Sequence, residues 1–120
     1  LSGPCLANPR TLVGGVSPEL FAGIPELEFD SWLTIGSTDG SLGENQLNSA
    51  GIDFDAWTED SGLLVSDGAV FLMDPLSGPS GSVVVAQITV PTATVPSIVM
   101  GAQGHLAGQD MNWQCSGATW

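Results

Sequence analysis

Glycine and proline interrupt this chain so often, 16 and 8 times in 120 residues, that no amphipathic helix of useful length fits between them. Each glycine in a helix interior costs about 1 kcal/mol relative to alanine, and each proline about 3. What survives the punctuation is short apolar segments with a period of two. In "LEFDSWLTI" the positions Leu27, Phe29, Ser31, Leu33 and Ile35 alternate with Glu28, Asp30, Trp32 and Thr34. In "IDFDAW" the set Ile52, Phe54 and Ala56 alternates with Asp53, Asp55 and Trp57. Alternation of this kind reads as a strand with one buried and one wetter face. It places Phe29 and Phe54 toward the core, and Trp32 and Trp57 outward beside acids.

Further strands are expected at Ala69–Met73, Ser82–Val90, Ser97–Gly104 and Met111–Trp120, with Gly, Pro, Ser and Asp turns between them. The stretch Gly36–Gly51 reads as a turn-rich loop. The spacing predicts an all-β fold: an antiparallel β-sandwich or partly open barrel of six to seven short strands, with Ala69–Met73, Ser82–Val90 and Ser97–Gly104 as a meander. Residues 1–26 read as a Pro/Gly-rich lead-in packed on a domain spanning 27–120. Within it "SPELF" offers an N-cap Ser17, Pro18 at the first helical position and Glu19, so a short helical turn is expected there.

The charge is one-sided. Thirteen acids face a single base, Arg10, giving a net charge of −12 with no lysine. Nucleic-acid binding, which draws on lysine and arginine, is excluded as a function class, and docking on anionic membranes is disfavoured. No apolar run approaches the ~20 residues that cross a bilayer, so no membrane insertion is expected. An acidic, lysine-free surface suits salty water, where the Debye length falls to a few ångströms.

Cys5 and Cys115 are the only cysteines. A disulfide between them is the economical reading, worth about 4–5 kcal/mol in the loop-entropy description, and it implies an oxidising compartment. Two free thiols are the alternative. With His105 as the sole histidine, the cysteines cannot complete a four-ligand zinc site. The start, "LSGPCLANPR", reads as that of a processed product or a piece of a longer chain.

Catalytic patterns are sparse. His105 lies in a glycine-flanked loop, no G-x-S-x-G elbow exists, and the carboxylate pairs Asp53/Asp55 and Glu59/Asp60 read first as solvated acids. No enzyme activity is expected. Asp53, Asp55, Glu59 and Asp60 are a candidate calcium cluster, since hard cations take several carboxylate oxygens, although the EF-hand spacing is absent. Trp32 and Trp57, if exposed beside acids, are candidate platforms for a sugar ring. Trp113 and Trp120 read as packing anchors or parts of a junction with a neighbour. Edge strands without lysine are open to a protein partner or to self-association, and Pro91 and Pro96 are the residues that would blunt them.

Three segments, "FDSWLTIG", "GIDFDAWTEDSGLLVSDGAVFLMDPLSGPSGSVVVAQITVP" and "GAQG", resemble an extracellular β-domain that recurs in large predicted secreted proteins of marine algae, stramenopiles and some bacteria. The resemblance covers about Glu28–Gly104 and brings no catalytic or ligand-binding residues with it. It implies a repeated β-domain in multi-domain chains at the cell surface or outside it. The function expected is a non-enzymatic structural or adhesion module, one unit of a secreted or surface assembly such as a filament, flagellar hair or wall layer. The alternative is a carbohydrate-binding module that uses Trp32 and Trp57, with or without Ca²⁺.

Overall fold

The computed structural model describes residues 13–42, 46–58, 60–106 and 108–119. Six strands are described: β1 (Trp32–Leu33), β2 (Leu47–Ala50), β3 (Ala69–Leu72), β4 (Ala86–Gln87), β5 (Val99–His105) and β6 (Asn112–Thr119). They form three two-stranded antiparallel sheets, β1 with β4, β2 with β3, and β5 with β6. The only helical elements described are 3₁₀ turns at Pro18–Ala22, Pro25–Phe29, Phe54–Ala56 and Pro75–Ser77. The fold is thus small and β-rich. The expected meander is not formed, because β3 pairs back to β2 and β4 crosses to β1.

Three local readings are corrected by turn chemistry. Pro25 opens a 3₁₀ turn that carries Leu27–Phe29, where a strand was expected. Its period of three shifts the parity of the residues after it. Phe29 is therefore 61% exposed while Leu27 and Trp32 are buried. Asp53 does the same for the second segment: its carboxylate accepts the Asp55 N–H at 3.2 Å and caps the turn Phe54–Ala56. The third correction is a strand inside the expected loop. Leu47–Ala50 has no β-branched residue, yet it pairs in register with Leu72–Ala69. The expected turn at "SPELF" is present at Pro18–Ala22, with Ser17 at the N-cap position and Gly23 at the C-cap.

The interior divides into two clusters. Phe54 and Trp57 form one, with Val13, Leu33, Ile52, Leu63 and Ile88 partly buried around them. Val16, Leu27 and Trp32 form the other, with Phe21 against them. Val16 and Phe21 come from the expected lead-in, which is held by a parallel bridge from Val13 to Leu33 and an antiparallel one from Gly15 to Asp39. Six hydrophobic residues are buried among those described, against twelve large ones that stay exposed. The core is therefore small for the apolar content of the chain.

Candidate functional site

The segments that carry the family resemblance meet in a seam. Beyond the two-residue β1–β4 ladder, Thr34 N–H donates to the Val85 carbonyl and Gly36 N–H to the Val84 carbonyl, both at 2.9 Å. Side chains continue the seam where backbone pairing stops. The Gln87 amide donates to the carbonyls of Glu28 at 2.9 Å and Asp30 at 2.8 Å. The Ser31 hydroxyl accepts the Thr89 N–H at 2.9 Å, and the Thr89 hydroxyl donates to the Phe29 carbonyl. Thus Gln87 and Thr89 satisfy carbonyls at the end of the 3₁₀ turn, and Ser31 in return satisfies the Thr89 N–H.

Asp30 lies inside this seam, only 3% exposed, where the alternation placed it outside. Burial pushes its carboxyl above the ordinary 3.8. The folded state then holds its proton more tightly than the unfolded chain, so the Asp30 contribution to stability falls as pH rises from 3.8 through the folded value. Asp30→Asn is expected to raise the melting temperature at pH 7. That gain is expected to disappear on acidification below 3.8, as followed by thermal circular dichroism. A gain of equal size at both pH values would refute the assignment.

Both tryptophans of the repeated Phe-acid-x-Trp pattern are buried, Trp32 at 5% and Trp57 at 2% exposed, and they belong to different clusters. This corrects their outward placement: neither ring presents a flat face to solvent in this structure. Trp32 forms part of the lining of a shallow groove of about 460 Å³, with Val16, Phe21, Val84, Glu28 and Asp39. Hydrogen bonds from the Ser41 hydroxyl and backbone N–H hold the Asp39 carboxyl below its ordinary range. Among the described residues the groove's polar lining is Glu28, Thr38, Asp39 and Gln87.

Three of the four calcium candidates are described. Asp53, Asp55 and Asp60 are exposed, with the Asp53 carboxylate engaged by its own turn, and Glu59 lies outside the described residues. Among the described residues no three His, Cys, Asp or Glu side chains are grouped to hold a metal ion. No described helix is long and apolar enough to cross a membrane.

The C-terminal ribbon gathers the remaining candidates. His105 is on strand β5, not in a loop, and its Nδ1 lies 2.8 Å from Asn112 Oδ1 in the facing pair. Cys115 is exposed on β6, and Cys5, its expected disulfide partner, lies outside the described residues, as do Arg10 and Trp120. Trp113, expected to be a packing anchor or part of a junction with a neighbour, is 45% exposed and lies over Gly104, where an added Cβ would come 2.8 Å from the indole.

Register sorts the ribbon into two unlike faces. The pairs Met100–Ala118, Ala102–Cys115 and Gly104–Trp113 share one face, and Gln103–Gln114 and His105–Asn112 share the other. Ser116 and Gly117 together oppose Gly101, a bulge in which Gly117 has φ +67°. The first face is apolar; the second carries Gln103, Gln114, His105 and Asn112 together with the Val99–Thr119 pair, whose Val99 is 67% exposed, and the described strands give the ribbon no third strand on either edge. Sequence reasoning found the strands but not this two-facedness, because the register that aligns the apolar positions is a property of the pair.

Comparison with known proteins finds no matching family model, no matching curated protein and no matching solved structure.

Proposed function

We propose that this chain is a non-enzymatic extracellular structural or adhesion module, one unit of a larger secreted or surface assembly. The observation that carries the reading is the β5–β6 ribbon. A two-stranded hairpin alone is marginal in water and gains stability when a hydrophobic face is covered. Here the apolar face, with Trp113 45% and Met111 55% exposed, has no cover among the described residues. An exposed apolar face beside free strand edges is the kind of surface that meets a neighbour.

The charge and the sequence resemblance support the same reading. An acidic surface with a single arginine and no lysine remains soluble in salty surroundings, and the similar domains recur in secreted chains. The architecture proposed for the body is a small antiparallel sandwich or partly open barrel, in which β1 supplies Leu33 to one buried cluster and Trp32 to the other. Antibodies raised against this domain and detected by immunogold microscopy on source cells test the proposal. Label on surface structures or shed material is expected. Label confined to the cell interior would overturn it.

A further inference from the structure

We infer that the connector between β4 and β5 is an O-glycosylation site, with sugar carried on the hydroxyls of Thr92 and Thr94. The inference rests on the extracellular reading for its cellular setting, and it is tested separately.

Residues 89–97, "TVPTATVPS", hold four hydroxyls, two prolines and no charge. Stretches rich in serine, threonine and proline are the compositional mark of O-glycosylated stalks. No Asn-x-Ser/Thr triplet occurs in the sequence, so a glycan here takes a hydroxyl as its acceptor.

The structure sorts the hydroxyls. Three described threonines lie within two residues of a proline: Thr89, Thr92 and Thr94. Thr89 is closed into the seam, where its hydroxyl donates to the Phe29 carbonyl and its N–H to the Ser31 hydroxyl. The hydroxyls of Thr92 and Thr94 make no hydrogen bond among the described residues, and every residue of 91–97 is exposed. The local backbone presents them. Thr94 N–H donates to the Pro91 carbonyl at 3.0 Å, closing a turn with Thr92 at its first corner. Ala93, at the second corner, has φ +69°, the only positive value outside glycine among the described residues. From Thr94 the chain runs without turn or bend into β5. Pro91 and Pro96 have no N–H to give to a neighbouring strand, so the segment stays open to an enzyme. The other exposed, proline-containing loop is built differently. Ser77 donates to the Asp74 carbonyl at 2.9 Å, and a bend at Gly81, φ +75°, separates Ser80 from Ser82.

The transfer is a substitution at the anomeric carbon of a phosphate-activated sugar. The threonine Oγ1 forms the new C–O bond as the bond from that carbon to the phosphate oxygen breaks. The phosphate group leaves with the electron pair, and the hydroxyl proton passes to a base of the transferase. Sugars on Thr92 and Thr94 lie beside Val95, which is 92% exposed, and give it a hydrated surround. They also stiffen the proline-bearing link between the seam and the ribbon.

Mass spectrometry with electron-transfer fragmentation, on peptides covering residues 87–100 of the protein isolated from source cells, tests this. Sugar increments are expected on Thr92 and Thr94, lost on alkaline β-elimination, with none on Thr89. The chain carrying Thr92→Val and Thr94→Val, expressed in the same cells, is expected to lose the increments from this peptide. Its melting temperature is expected to match that of the deglycosylated parent, because neither hydroxyl is bonded within the described fold. Bare hydroxyls at both positions in the native protein would overturn the inference. So would phosphoryl groups in place of sugar, or sugar confined to Ser80 and Ser82. Surface labelling of source cells with bare threonines would leave the assembly role standing and remove the glycan. Sugar on these threonines with purely internal label would do the reverse.

Discussion

Trp57→Ala is expected to cost about 3–5 kcal/mol, the usual range for emptying a buried aromatic site. A domain of this size has about 5–15 kcal/mol in total, so the variant sits at the edge of unfolding. The size of the loss comes from what the ring touches. Trp57 is 2% exposed and, with Phe54, joins Val13, Leu33, Ile52, Leu63 and Ile88, residues drawn from separate stretches of chain. With only six hydrophobic residues buried among those described, no neighbouring cluster can take over that role. One detail sharpens the prediction. The Trp57 indole N–H is buried without an acceptor among the described residues, and an unpaired buried donor costs about 1–3 kcal/mol. Trp57→Phe removes that penalty while keeping a ring, so it is expected to cost far less than Trp57→Ala. Trp113→Ala is expected to fall within about 0.5 kcal/mol of the parent, because its ring is 45% exposed on the ribbon. Urea titration followed by far-ultraviolet circular dichroism gives all three values. Equal losses at Trp57 and Trp113 would contradict the two-cluster core.

The second large effect is expected at Gly51. Its φ is +70°, and a Cβ there would sit 2.2 Å from the Asp67 carbonyl oxygen. Gly68 stands opposite, where a Cβ would meet the Gly51 oxygen at 2.7 Å. The two glycines lie beside the terminal pair Ala50–Ala69 of the β2–β3 ladder, so this close backbone approach is part of the sheet. Gly51→Ala costs about 1–2 kcal/mol for the left-handed conformation, and the collision adds to it by forcing the strand ends apart. Gly81→Ala, with φ +75° and nothing within 4 Å, is expected to show the conformational cost alone. Gly62→Ala, with open space and no positive φ, is expected to be neutral or slightly stabilising. Melting temperatures should therefore fall in the order Gly62→Ala, Gly81→Ala, Gly51→Ala. If Gly51→Ala melts with Gly81→Ala, the close approach contributes nothing.

The candidate site was legible in parts. The hydrophobic runs at Ala69–Met73, Ser97–Gly104 and Met111–Trp120 correspond to β3, β5 and β6, since β-branched and apolar runs between turns hold few other structures. Leu47–Ala50 was missed because its pairing with β3, and not its own composition, makes it a strand. The Trp32 reading failed for a nearby reason. Alternation assumes an unbroken period of two, and the turn begun at Pro25 breaks it before Trp32 is reached. Asp30 went inside with the same shift, leaving Gln87, Ser31 and Thr89 to close the seam around it.

By itself the sequence determined that this chain is β-rich, helix-poor and acidic, because glycine, proline and carboxylates act locally and need no partner to exert their effect. Only the tertiary structure decided that the two Phe-acid-x-Trp stretches bury their tryptophans in separate clusters, and that Cys115 and Trp113 share an open apolar face. Those outcomes depend on register and on where a 3₁₀ turn resets the parity. Register is set by contacts between segments far apart in the chain, whereas the turns start locally at Pro25 and Asp53 and show their effect only in which side chains then pack inside.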